Sequence, residues 1–283
     1  MMTWNLVCDS SSDLKPAAAP EAGAAGITVV PLTISVGGRD YPDDAALDVP
    51  ALVEAMQQEK GPSSTACPSP AAFAAAFEQA DCTVCFTISS NLSGTYNAAL
   101  LGREMALEAH PDKKIAVIDS RSTAGAMVLL VRRAQELVQA AQEPDFDRIC
   151  AQLRNYQKSL RTIFTLENYD NLIKNGRMRP LVGNLLHTLG IRIIADATPE
   201  GTIHVAGKAR GEARTFRSIV DMMRVSKDCT GAEVILTHCE NLSAALQLKD
   251  LIQAQLPVKS VTILSCRGLT SFYAMKNGLI LVY

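Results

Sequence analysis

The sequence predicts an α/β protein: an N-terminal parallel α/β/α sandwich followed by a smaller α+β domain with a mixed sheet. Three observations carry this reading. Apolar, strand-like runs at 4–8, 84–88 and 114–118 are interleaved with helical patterns, as in a parallel sheet covered on both faces. Each of these runs ends in a turn dense in Ser, Thr and Asp, which places three polar turns at the carboxyl edge of one sheet, where ligands of such folds sit. Past residue 158 the texture changes, and two short runs at 191–195 and 202–205 are joined by Pro199-Glu200-Gly201, the chemistry of a hairpin rather than a crossover. The expected domains are therefore 1–158 and 159–283.

The elements follow in order. Strand 4–8 runs into Asp9-Ser10-Ser11-Ser12-Asp13-Leu14, and an Ala-rich segment broken by Pro16 and Pro20 comes next. A second β-branched run, 27–36, closes at Gly37-Gly38. Asp48 with Pro50 just inside opens a helix carrying Leu52, Val53 and Met56. Residues 63–70 read as a hydroxyl-rich loop, with Ser69-Pro70 starting the helix of Phe73 and Phe77. After strand 84–88 a helix runs from Gly94 to His110, and after strand 114–118 another spans 124–141. Beyond them come a helix from Asp145, a strand at 161–166, a short helix at 168–174 stopped by Gly176, and the basic turn Arg177-Met178-Arg179-Pro180. Ala206-Gly207-Lys208-Ala209-Arg210-Gly211 reads as a basic loop before the helix of Phe216, Ile219 and Met223. Strand 232–237, helix 242–254 and strand 258–264 lead to a last polar loop, 265–271, and an apolar end, 279–283.

Composition excludes several classes. Over 283 residues the formal charge is −2, with no concentrated basic face for nucleic acid. No apolar run reaches the length of about 18 residues that spans a bilayer, and the N-terminus enters a strand without a basic segment and apolar h-region, so a soluble, cytoplasmic protein is expected. Of eight cysteines, Cys82 and Cys85 have knuckle spacing, but in a strand positions three apart face opposite sides, and no second pair follows. Cys8, Cys150, Cys229, Cys239 and Cys266 read as small buried residues kept reduced. His110, His187, His204 and His238 show no metal spacing. Neither a nucleophile elbow nor a P-loop fits: Ser93 is flanked by Asn91 and Thr95, and Gly207-Lys208 is followed by Ala209.

The stretch 87–96, Thr-Ile-Ser-Ser-Asn-Leu-Ser-Gly-Thr-Tyr, is the strand-to-helix junction with most chemistry. A helix N-terminus carries unpaired N–H groups and partial positive charge, so Ser93 and Gly94 there either cap the helix or receive an anion.

In combination, Asp9-Ser10-Ser11-Ser12-Asp13-Leu14, Thr65-Ala66-Cys67-Pro68-Ser69-Pro70, Ser93-Gly94-Thr95-Tyr96, Val117-Ile118-Asp119-Ser120, Asn175-Gly176-Arg177-Met178 and Lys208-Ala209-Arg210-Gly211 resemble the DegV family, the fatty-acid-binding subunits of bacterial fatty acid kinase. The resemblance covers nearly the whole chain. It implies a long-chain fatty acid in a buried apolar tunnel between the domains, its carboxylate held by Thr65 and Ser93 with the backbone of Gly94 assisting, and Arg177 and Arg210 reaching either the head group or a kinase. It implies no cofactor and no catalysis in this chain: an ATP-dependent kinase subunit would phosphorylate the presented carboxylate to an acyl phosphate, and ligand exchange would involve transient contact with a membrane surface. A chain that is 48% hydrophobic and 5% aromatic has ample aliphatic surface for an acyl tail. Two positions depart from the pattern. The family's Gln is Cys67, and its C-terminal His-Thr-Gly-Pro-Gly is Cys266-Arg267-Gly268-Leu269-Thr270, so the site is expected to include Cys266 with Arg267 as a neighbouring positive charge. The alternative reading is a small serine hydrolase or transferase with Ser93 as nucleophile and Asp119 or His238 as its partner.

Overall fold

Strand β1 (Trp4–Asp9) is buried along its whole length, and Asp9 turns the chain through a short 3-10 helix at Ser10–Ser12 by accepting from Ser11 N. The computed structural model describes residues 2–14, 25–59, 61–179 and 190–283; the expected Ala-rich segment at Pro16 and Pro20, Pro180 of the basic turn, and His187 lie outside the described residues. The apolar run 27–36 is not one strand but two, β2 (Gly26–Val30) and β3 (Thr33–Val36), which join different sheets. Pro31 lies between them and has no N–H to continue a ladder, while Leu32 N leaves the strand to donate to Ser10 Oγ at 3.1 Å. β4 (Arg39–Pro42) completes a hairpin over Gly37-Gly38. Helix α1 (Val49–Gln58) is capped by Asp48. The expected hydroxyl-rich loop is partly a strand, β5 (Ser63–Ala66), antiparallel to β3.

Helix α2 (Pro70–Phe77) starts at the Ser69 cap, and β6 (Cys82–Thr87), α3 (Thr95–Ala109), β7 (Lys114–Asp119), α4 (Gly125–Gln139) and α5 (Phe146–Ser159) follow as expected. β2, β1, β6 and β7 form a parallel sheet in that order. One of its faces packs on Phe73, Phe77, Ala99 and Ala106 of α2 and α3, the other on Met127, Leu130, Ile149 and Leu153 of α4 and α5. That is the expected sandwich.

The remaining elements are β8 (Thr162–Thr165), α6 (Asp170–Lys174), β9 (Ile191–Ala197), β10 (Ile203–Arg210), α7 (Glu212–Ser226), β11 (Glu233–His238), α8 (Leu242–Gln255), β12 (Ser260–Ser265), α9 (Gly268–Ala274) and β13 (Leu279–Val282). They build a mixed sheet, β10-β9-β8-β13-β11-β12, antiparallel except at β11/β12. Two expected loops prove ordered. Ala206–Arg210 belongs to β10, paired to β9 across an irregularity between Val205 and Gly207, and Gly268–Ser271 opens α9.

The two sheets are joined through α4, whose first seven residues are all buried. Its Met127 and Leu130 face the parallel sheet, while Ala126, Val128 and Leu129 pack on Ile235 and Val282 of the mixed sheet. A stretch of helix that is apolar all round, as these first two turns are, belongs between two layers. A Cβ at Gly125 would stand 2.7 Å from Ile235, so glycine sets how closely the layers approach.

Candidate functional site

Sheet topology should open a crevice where the strand order reverses, between β1 and β6. Asp9 closes it: its carboxylate accepts from Ile88 N at 2.7 Å and Ser11 N at 2.9 Å. Ser10, Ser11 and Ser12 are all buried, so the first of the three polar turns is structural. The accessible space lies one step further out, bounded by the 88–93 and 121–123 turns, the edge strand β5, strands β8 and β13, the β9–β10 turn, α6 and α9.

This cavity holds about 840 Å³ of non-atom space, including open solvent at its mouth. Leu32, Phe164, Leu166, Leu172, Leu269 and Ile280 give its walls an aliphatic character. A larger groove lies at the other edge of the parallel sheet by Thr3, Gly26 and Asp145 and holds none of the expected site residues.

Polar groups enter the bore in two sets. In the first, Thr65 Oγ1 on β5 meets Tyr273 Oη of α9 at 2.9 Å, and Ser93 lines the same wall. All three are half-buried, within reach of both water and the bore. Ser93 Oγ shares a 2.8 Å hydrogen bond with Thr95 Oγ1 and accepts from Thr95 N at 3.3 Å, so it orders the first turn of α3. Arg177 also lines the bore; its Nε donates to Leu92 O at 2.9 Å and its Nη1 to Asn175 O, which fixes the loop bearing Ser93. In the second set, Ser122 Oγ and Thr162 Oγ1 are buried and satisfy each other at 2.7 Å. Beside them the β9–β10 turn is strapped on by Ser89 Oγ to Gly201 O at 2.7 Å, Asn91 to Glu200 O at 2.7 Å and Arg121 to Pro199 O at 3.0 Å.

The other expected site residues stand elsewhere. Gly94 is exposed at the start of α3 and is not on the cavity wall. Arg210 is exposed at the far end of β10, seven residues or about 23 Å along a strand from Ile203 on the wall. Cys266 is buried behind α9, its N–H donating to His238 O at 2.8 Å. Arg267 is buried too, but its guanidinium turns away to the Asp43 carboxylate at 3.8 Å and to Asp44 O, while its N–H donates to Asp13 at 2.7 Å. It therefore brings no positive charge to the bore, because a charge buried this deeply needs an anion beside it. Asp43 further accepts from Gly268 N and Leu269 N, at 2.9 and 2.8 Å, and caps α9 from 225 residues away.

Among the wall residues not expected at the site are Tyr273, Thr270, whose hydroxyl is buried without a partner, and the turn residue Gly201. Leu269, Phe272 and Tyr273 show helical spacing, the one signal by which α9 could have been found in the stretch expected to be a polar loop. Ser93 touches neither candidate base. The Asp119 carboxylate accepts from Ser90 and Arg121 N, and His238, pushed below its ordinary pKa by burial, accepts from Asn241 N. The triad alternative therefore lacks the nucleophile-to-base contact it needs. Among the described residues no group of three or more His, Cys, Asp and Glu is placed to hold a metal ion, and no helix is long and apolar enough to cross a membrane.

Fold and site define a class: an α/β protein of a parallel sheet, a mixed sheet and a small third sheet, with an aliphatic bore open at its mouth and a hydroxyl pair at its wall. The family model described as "Uncharacterised protein, DegV family" matches residues 3–278. A DegV domain-containing protein of Streptococcus pneumoniae is 35% identical over 282 residues, covering 100% of this chain and 99% of that one. The crystal structure of the Streptococcus pneumoniae Fatty Acid Kinase (Fak) B3 protein loaded with linoleic acid is similar at TM-score 0.93 and 35% identity, over 100% of this chain and 99% of that chain. A DegV family protein from Eubacterium eligens loaded with heptadecanoic acid is similar at TM-score 0.92 and 31% identity, over 99% of each chain. The chain belongs to the DegV family.

Proposed function

We propose that this protein binds one long-chain fatty acid in the bore, with the carboxylate at Thr65, Ser93 and Tyr273 and the acyl tail along Leu32, Phe164, Leu172 and Ile280. The observation that carries the proposal is the pairing of an aliphatic channel with half-buried hydroxyls that donate to an anion without demanding a counter-charge. At about 0.8 kcal/mol per buried methylene the tail supplies most of the affinity, and the hydroxyls orient the acid. The fatty acids in the Streptococcus and Eubacterium relatives support the reading.

The name of the Streptococcus relative supports a finer role: the bound acid is presented to a separate ATP-dependent kinase and leaves as an acyl phosphate, with no catalysis in this chain and no cofactor. On this reading the protein works in the cytoplasm, in keeping with its eight free cysteines, and meets a membrane surface only to exchange ligand. The division at 158/159 into a head-group domain and a domain covering the tail is supported by the sheets, since the parallel sheet ends with β7 and the mixed sheet begins with β8. Denaturing mass spectrometry of protein purified from cells is the test. A stoichiometric long-chain fatty acid is the expected result; an empty protein, or one carrying a nucleotide or sugar, rejects the proposal.

A further inference from the structure

Strands β11 and β12 run parallel with His238 opposite Ser265 as their last pair, and the first residue past the end of each is a cysteine. The backbone of both is fixed. Cys266 N continues the ladder to His238 O at 2.8 Å, Cys239 N donates to Gly278 O at 3.0 Å, and Cys239 O accepts from Asn277 N at 2.9 Å. Paired strands lie about 4.8 Å apart, inside the roughly 4.4–6.8 Å Cα separation that a disulfide spans. Both thiols are buried in the same cluster as Leu269, Phe272 and Ala274 of α9.

We propose that Cys239 and Cys266 are a reversible oxidation site, closed to a disulfide by a peroxide, which ties the end of β11 to the segment that opens α9. The division of labour follows from their surroundings. Burial pushes Cys8 and Cys150 up to about 12 and about 11, and raises Cys82, Cys85 and Cys229 as well. Cys239 alone among the thiols with a resolved shift is lowered, chiefly by its contact with the Cys266 thiol, while burial and the same contact raise Cys266. Cys239 is therefore the nucleophile. Its thiolate attacks one oxygen of hydrogen peroxide, the O–O bond breaks, and with one proton the products are Cys239 sulfenic acid and water. The Cys266 thiol then attacks the sulfenic sulfur; its proton and the departing hydroxide form a second water as the S–S bond forms. Two thiols are oxidised and one peroxide is reduced to two waters. The disulfide pins Cys266, two residues ahead of the helix that presents Thr270 and Tyr273 to the bore.

The test uses the full chain with exposed Cys67 replaced (Cys67→Ser), which prevents bridging between molecules. Hydrogen peroxide treatment is followed by denaturing thiol titration, alkylation and peptide mapping. Seven thiols are expected to fall to five, with a Cys239–Cys266 cross-linked peptide pair that dithiothreitol reverses and slower amide hydrogen exchange in residues 266–274. In Cys67→Ser/Cys266→Ser the reaction stops at Cys239 sulfenic acid, read by dimedone labelling. Seven surviving thiols, oxidation at other cysteines, or a Cys239 that dimedone does not label would overturn the proposal. None of these readouts depends on which ligand occupies the bore.

Discussion

Thr65 and Tyr273 are 208 residues apart and meet through hydroxyls 2.9 Å from one another. With Ser93 they make the wall of the bore polar at one place, beside the Arg177 side chain that braces the Ser93 loop. A neutral hydroxyl donating to a carboxylate forms a charge-assisted hydrogen bond, worth more than a neutral pair. Ser93→Ala is accordingly expected to weaken fatty-acid binding by about 1.5–3 kcal/mol and leave the fold intact, since the bonds it loses, to Thr95, lie within one turn. Isothermal titration with a defatted protein checks this, and unchanged affinity removes Ser93 from the site. Arg267 teaches the converse lesson. Its position in the chain suggested a head-group cation, but Asp43, fully buried behind α9, claims its guanidinium.

At the level of elements, the β9–β10 turn is the part that closes the bore. Gly201 sits at φ +82°, and a Cβ there would stand 2.4 Å from Ser89 Oγ and 2.8 Å from the Arg121 backbone. Gly201→Ala is therefore both strained in its backbone and pushed off the 89–91 and 121 turns. A loss of about 1–3 kcal/mol is expected in urea unfolding, together with faster hydrogen exchange at the turn. A variant as stable as the parent would show that the turn is not clamped by close approach. The elements that escaped sequence reading share a cause. β5, Ser-Ser-Thr-Ala, and the second half of β10 are edge strands of low apolar content, ordered by ladder bonds to β3 and β9 rather than by a buried face of their own. α9 is seven residues long and is capped by Asp43 from another part of the chain, so no local cap announced it.

For the molecule as a whole, the buried carboxyls Asp9, Asp13 and Asp43 set the pH response. Burial raises Asp9 from 3.8 to about 6 and Asp13 from 3.8 to about 7, and raises Asp43 as well. A carboxyl whose pKa is higher folded than unfolded holds its proton more tightly in the native state. Its stabilisation is full below the unfolded value and is lost as pH climbs through the folded one. These three groups therefore lower stability as pH rises from about 4 to about 7. His238, lowered by burial, acts in the opposite sense below its ordinary value. Urea midpoints across this range should fall less steeply in Asp13→Asn than in the parent, since Asn still accepts from Arg267 N; parallel profiles would place the titration elsewhere.

The sequence by itself determined the alternation of strands and helices, the parallel first sheet and two of the hydroxyls that line the bore, because periodicity, caps and turn residues act over a few positions. Thr65 and Ser93 were legible as hydroxyls at a turn and a helix start, and α4 as a long helix. Whether 27–36 was one strand or two, that Asp9 would fill the crevice between β1 and β6, and that Arg267 would face Asp43 were decided only in three dimensions. Each depends on which distant group competes for a buried hydrogen bond or charge, and a one-dimensional pattern does not record that competition.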